Sequence, residues 1–216
     1  MTAKLNSMRA LYLEQLRDLH SAETQLVEAL PKAAKAAHNA ELKSAIREHL
    51  EVTKGHVTRL DDILAGMDES SGRVVCKGMA GLIKEASEAL EADGDPRVRD
   101  AAIIAAAQRI EHYEMAGYGC AATYADLLND TEAANQLRTT LQEERETSDT
   151  LTDLAESSVN PEAMGAEADE GETHERATAE AETGEEEAEV EQENPEPSSR
   201  KSRRPRARPQ RNTSRR

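Results

Sequence analysis

The stretch "RIEHYEMAGYGCAA", residues 109–122, places Glu111, His112 and Glu114 within one helical turn, among Ala, Gly and Met. An apolar helix face gains nothing by burying two acids and an imidazole. The turn is therefore either a solvated face or part of a binding site, and its flanks decide between them. The helical pattern around it runs from about Pro96 to Leu128, with Ile104, Gln108, Met115, Tyr118 and Ala122 on one stripe. On that stripe Glu111 is central, Glu114 sits at one edge and His112 at the other.

Working outward, the same 3.6-residue period marks three more long helices. One spans about 6–37, with Tyr12, Leu16, Leu19, Leu26 and Leu30 inward and Pro31 expected to kink or break it. The next spans about 40–64, with Asn39 as N-cap and Leu42, Ile46, Leu50, Val57, Leu60 and Leu64 inward. The last spans 131–155, with Thr131 as N-cap and Leu137, Leu141 and Leu151 inward. A shorter helix over 76–91 lies in the long connection between the second and third long helices. Short turns within each pair and one long crossover between pairs give an all-α, ferritin-like four-helix bundle of two antiparallel hairpins. With no Trp, no Phe and four Tyr, the core must be aliphatic, which suits helices better than a sandwich or barrel.

Each long helix carries polar groups on its inward stripe. Glu23 sits among Leu19 and Leu26; His49 and His56 flank a centre marked by Ile46, Thr53 and Val57; Glu144 and Ser148 share a stripe with Leu141 and Leu151. Counting back from the hairpin turns, Glu23 is level with Thr53, and Glu111 with Ser148. With both turns at one end of the bundle, these groups meet near mid-height. Facing carboxylates repel and raise one another's pKa values unless a cation intervenes. Oxygen and imidazole donors suit iron or manganese, held as a pair or singly. The candidate metal residues are Glu23, His49, His56, Glu111, Glu114 and Glu144. Such a site, if redox-active, would oxidise Fe(II) or consume peroxide. Glu48, Glu51, Glu143 and Asp18 read as a solvated face, His112 as looking elsewhere, and Tyr113 and Tyr118 as packing residues. The alternative function is a non-catalytic dimeric scaffold or binding protein, with the basic C-terminal segment contacting nucleic acid or an acidic partner.

The net charge of −16 is unevenly spread. Residues 1–157 carry −11, residues 158–199 carry −14 and residues 200–216 carry +9. We divide the chain into a bundle at 1–158, an acidic disordered linker at 159–199 and an Arg-rich disordered tail at 200–216. The acidic bundle is not expected to seek nucleic acid, but the tail "RKSRRPRARPQRNTSRR" is suited to nucleic-acid phosphates or an acidic partner. No aromatic residues interleave its arginines, so base stacking is not expected. Cys76 and Cys120 form no disulfide framework or zinc spacing, and no signal peptide or membrane span is evident; a cytoplasmic protein with reduced thiols is expected.

The segments "LYLEQLRDLHSAETQLVEALPKAAKAA", "EHLEVTKGHVTRL", "VCKGMAGLIKEASE", "DAAIIAAAQRIEHYEMAGYGCAATYADLL" and "LQEERETSDTLTDLA" resemble the YciE/YciF family of ferritin-like, stress-associated bacterial proteins. The resemblance covers about residues 8–157. It implies a homodimeric bundle with a di-metal site and no established reaction. The Glu at 23, 111, 114 and 144 and the His at 49 match the family pattern. Val52 stands where family members often carry an acid, and Ser148 where they often carry Asp, so two oxygen donors are missing from the implied ligand set.

Overall fold

The computed structural model describes residues 5–166. Within them run α1 (Met8–Ala36), α2 (Ala40–Gly66), α3 (Lys77–Glu91), α4 (Pro96–Leu127) and α5 (Thr131–Leu154). The described residues contain helices and no strands, as the apolar period predicts, and no helix is long and apolar enough to cross a membrane.

Each helix begins where a short polar side chain can accept from otherwise unpaired N–H groups. Ser7 accepts from Ala10, Asn39 from Glu41 and Leu42, and Asp95 from Arg97 just ahead of Pro96 at the first turn of α4. At α5 the cap is Asp130, accepting from Ala133; Thr131, the expected cap, is already helical. An aspartate reaches the third N–H with a full charge, which also suits the positive end of the helix dipole. Asn129 closes α4 in the left-handed region (φ 62°), a conformation Asn tolerates.

Pro31 neither breaks nor ends α1, which stays helical to Ala36. It lies on the exposed side, where water can take the carbonyl that a proline leaves without a donor. At the other end of the chain, a π-helical turn at Ala155–Val159 follows α5, and helix resumes to Ala166. Val159 and Ala166 are buried, so these first eight residues of the expected linker pack as helix. The remainder of that linker, and the basic tail at 200–216, lie outside the described residues.

The two hairpin turns lie at opposite ends of the bundle, not at one. The buried Asp100, near the start of α4, accepts from the backbone N–H of His38 (2.8 Å) and Asn39 (2.5 Å), and Asn39 donates to Ser158 (3.1 Å). The first turn therefore sits with the start of α4 and the end of α5. The second turn sits with the start of α1, where Tyr12 and Leu16 join Leu60, Leu64, Tyr118, Ala121, Ala134 and Leu137. This puts α1 antiparallel to α2 and α4, and α2 antiparallel to α5. It also requires the crossover to run the length of the bundle. That crossover is α3, packed on α1 and α4.

The N-terminus of α3 is fastened by Cys76. Its Sγ accepts from Met79 N–H (3.4 Å), donates to Asp18 (3.0 Å) and touches Tyr113 Oη (3.0 Å), which itself donates to Asp18 (3.2 Å). Asp18 is thus half-buried and partnered, not part of a solvated face. Gly78 is needed beneath this cluster: a Cβ there would lie 2.6 Å from Tyr113 Oη. Both cysteines are free thiols.

Candidate metal centre

Two apolar layers fill the ends of the bundle. One is built on Tyr12, Leu60 and Leu137, the other on Leu42, Ile104 and Leu151. Between them, at mid-height, α1, α2, α4 and α5 bring together carboxylates and imidazoles. The expected depth holds although the turns lie at opposite ends, because Glu23 and Glu111 lie near the midpoints of their helices and are about equally far from either end.

Glu23, His56 and Glu144 form one group of three, and His49, Glu111 and Glu144 another, with the donor atoms in each within 4.8 Å of one another. Glu144 belongs to both. His56 Nδ1 lies 3.0 Å from Glu144 and 3.3 Å from Glu23, and His49 Nε2 lies 3.4 Å from Glu111. These short contacts lack hydrogen-bond geometry. Glu23 Oε2, His49 Nε2, His56 Nδ1, Glu111 Oε2 and both oxygens of Glu114 and Glu144 are buried without hydrogen-bond partners. Buried polar atoms are normally paired, so a cluster of orphans facing one another calls for an explanation. Glu114 is wholly buried beside the cluster but completes neither group of three.

Each imidazole is held by its outer nitrogen and turns its inner one to the cluster. Glu143 lies 3.0 Å from His56 Nε2 and is itself gripped by Arg59 (2.8 Å), leaving Nδ1 to face Glu23 and Glu144. Thr147 donates its hydroxyl to the Glu143 carbonyl (3.2 Å) and so can accept from His49 Nδ1 (3.2 Å), which assigns a bare lone pair to His49 Nε2. Anchoring the far nitrogen in this way is how proteins orient ligand histidines. Glu23 Oε1 accepts from the buried Tyr118 hydroxyl.

The electrostatics follow from burial. Burial, then the charge on Glu144, raises the Glu111 pKa well above the ordinary carboxylate range. Burial, then Glu23 and Glu144, does the same to Glu114, and burial also raises Glu23. Burial keeps His49 neutral by lowering its pKa. Burial also disfavours a charge on His56, but Glu144 and Glu23 outweigh it and hold that ring at about 10. Glu144 correspondingly stays ionised below its usual range: burial opposes this, and His56 overcomes it. One imidazolium thus balances part of a site that otherwise suppresses its own negative charge.

Several side chains stand elsewhere than the helical period predicts. His49 and His56 join Thr53 at the centre of the buried stripe of α2 instead of lying at its edge; Leu50 and Val57, expected inward, are half-buried. Glu114 is central as well. Glu143 is not a solvated acid but half-buried on His56, and Tyr118 is a hydrogen-bond donor to the cluster as well as a packing residue. Glu48, Glu51 and His112 are exposed, as expected. Val52 is 38% exposed, and Ser148 turns away to donate to Gln108 (2.8 Å). Three residues before His56, where ferritin-like di-metal helices carry a Glu, stands Thr53, whose hydroxyl donates to the His49 carbonyl (2.8 Å).

Residues 7–164, which contain the whole cluster, match the family described as a domain of unknown function, DUF892. The chain belongs to this family. Protein YciF of Escherichia coli K12 is 43% identical over 160 residues, covering 74% of this chain and 96% of the relative. The crystal structure of that stress protein superposes with a TM-score of 0.70 at 44% identity, covering 72% of this chain and 98% of the other. YcfI of Rhodopseudomonas palustris follows at 0.67 and 38%, covering 70% and 97%. A Xanthomonas campestris protein at 20% identity shares the fold, with a TM-score of 0.56 over 70% and 92% of the two chains. The DUF892 bundle is therefore common to this chain and YciF.

Proposed function

We propose that this DUF892 chain is a ferritin-like stress-response protein that holds one or two iron or manganese ions among Glu23, His49, His56, Glu111 and Glu144, with Glu114 as a reserve carboxylate. The observation that carries this reading is the set of eight buried oxygen and nitrogen atoms with no hydrogen-bond partner, facing one another at mid-bundle. Donor type fits as well: carboxylate oxygen and neutral imidazole nitrogen, with no thiolate, suit iron or manganese.

The chain's own residues would do the following. Glu144, shared by both groups of three, links the two halves. His56 gives up its Nδ1 proton when an ion arrives, while Glu143 keeps Nε2 fixed. Glu111 and Glu114 shed the protons that burial makes them keep, so loading releases protons. Tyr118 orients Glu23. Bound iron would supply one-electron chemistry toward oxygen or peroxide.

The test is metal content after aerobic loading with Fe(II) or Mn(II) and desalting. Wild type should retain one or two ions per chain, and the Glu23→Ala/Glu111→Ala variant should retain none. Absence of metal in the wild type, with a melting temperature indifferent to chelator, would leave the chain as a scaffold and end this reading.

A further inference from the structure

The two halves of the cluster differ in their access to solvent. A cavity of about 320 Å³ lies against the His49 half. His49 and Glu111 form part of its wall, with Leu26, Leu30, Ile46 and Ile110 around them. The exposed residues of its lining belong to α2 and α5: Glu48 and Val52 on one side, Glu146 and Thr150 on the other, with the half-buried Glu143 also in the lining. No lysine or arginine lines it. Glu23, His56 and Glu144 do not line this cavity. His56 is wholly buried and closed off by Glu143 and Arg59.

We propose that this cavity is the doorway through which divalent cations reach the cluster, and that Glu48, Glu143 and Glu146 set its charge. The inference rests on the metal reading above. An acidic rim alone would be a solvated face. Here it surrounds a cavity bordered by Glu111 and His49, each of which carries a buried, unpartnered atom, Oε2 and Nε2. Field lines from a like-charged rim with low-dielectric walls concentrate cations at such a mouth. Glu143 spans the route, since it lines the cavity and also touches His56, next in sequence to the shared Glu144. Val52 at the lip keeps the opening apolar and narrow without adding a donor that would trap the ion at the surface.

The probe is Co(II), followed by its visible spectrum during stopped-flow mixing with the metal-free full chain. Glu48→Lys/Glu146→Lys reverses two exposed rim charges that are not ligands. It should slow uptake about tenfold or more at low ionic strength, with the gap closing at high salt and the final cobalt content unchanged. Val52→Trp should slow uptake at every ionic strength. Glu85→Lys/Glu91→Lys makes the same charge change on the exposed face of α3 and should load at the wild-type rate. Equal rates in all four proteins, or a rim variant that loses its final cobalt content while still folded by circular dichroism, would overturn the doorway. A wild type that takes up no cobalt overturns the metal reading and the doorway with it. A wild type that loads while the variants keep pace overturns the doorway alone.

Discussion

Replacing Glu114 by Met should make the metal-free protein more stable. Glu114 is 0% exposed and neither carboxylate oxygen has a partner. Burial and its acidic neighbours keep it protonated, which spares the cost of a buried charge but not that of unpaired polar atoms. An unsatisfied buried group costs about 1–3 kcal/mol. Met has similar length, adapts to irregular space and removes both atoms. We expect Glu114→Met to gain about 1–3 kcal/mol without metal, a rise of about 2–12 °C at the ~2–4 °C per kcal/mol typical of a domain this size. Glu114→Gln keeps two unpaired polar atoms and should gain little. With metal the order reverses, because ligand-linked stabilisation grows with affinity, about 2.7 kcal/mol at a hundred times Kd. Differential scanning calorimetry with EDTA and with Mn(II) measures both arms. A metal-free Glu114→Met protein that melts below wild type would refute the reasoning, since it would show the carboxyl serving the fold itself.

Tyr118→Phe removes the donor to Glu23 and should cost about 1–3 kcal/mol in urea unfolding, as an oxygen of a fully buried carboxylate loses its partner. Two glycines should respond oppositely to Ala. Gly78→Ala drives a methyl into Tyr113 and should destabilise by about 1–3 kcal/mol, whereas Gly55→Ala, mid-helix with open space around it, should stabilise by about 0.5–1 kcal/mol. The metal-free protein should lose stability as pH rises from 7 to 10. The folded His56 pKa of about 10 lies above the unfolded value near 6.5, so its contribution is complete below pH 6.5 and gone above 10. Glu111 and Glu114, also raised, push the same way, while the lowered His49 acts in the opposite sense only below about pH 7. The fall should be shallower in His56→Gln, measured by thermal melts across that window. A Co(II) titration should show a tight and a weak class, the tight one lost in His56→Ala and the weak one in His49→Ala; a single class in wild type would contradict the asymmetry.

The helices, the Asn39 cap and the crossover were legible because they are local: a period of 3.6, an Asn before it, and a connection too long for a hairpin; at α5 Asp130 caps one residue ahead of the expected Thr131. Angular position was legible only to about one residue. On α2 the apolar Leu50 and Val57, both half-buried, pulled the apparent centre toward their own flank, and so pushed His49 and His56 to the edge. Which end of the bundle holds each turn is not written in a helical period at all. It is fixed by long-range contacts such as Asp100 with the first turn. Glu143 escaped notice because helical angle sorts side chains by where they start, whereas a glutamate can reach around the helix to His56. The usable signal was Glu143 with Thr147, four residues apart on one face of α5, each placed to hold a histidine of α2.

The departure at Val52 falls in the half of the site that opens to solvent, and that at Ser148 is buried one turn beyond Glu144 on α5. Ser148 spends its hydroxyl on Gln108, whose amide returns to the Ser148 carbonyl (2.7 Å), so this pair closes on itself. The open half keeps His49, Glu111 and a share of Glu144. The closed half has Glu23, His56 and the same Glu144, with Tyr118, Glu143 and Arg59 holding them in place. The donor count is three on each side, but how little the ligands must reorganise also sets affinity, and that favours the closed half. An ion in the open half would meet three less firmly held donors and a cavity through which ligands can come and go. On the metal reading, the absence of two acids would therefore leave the centre in place. It would separate a retentive half from an exchangeable one, and any chemistry with an outside molecule would belong on the His49 side.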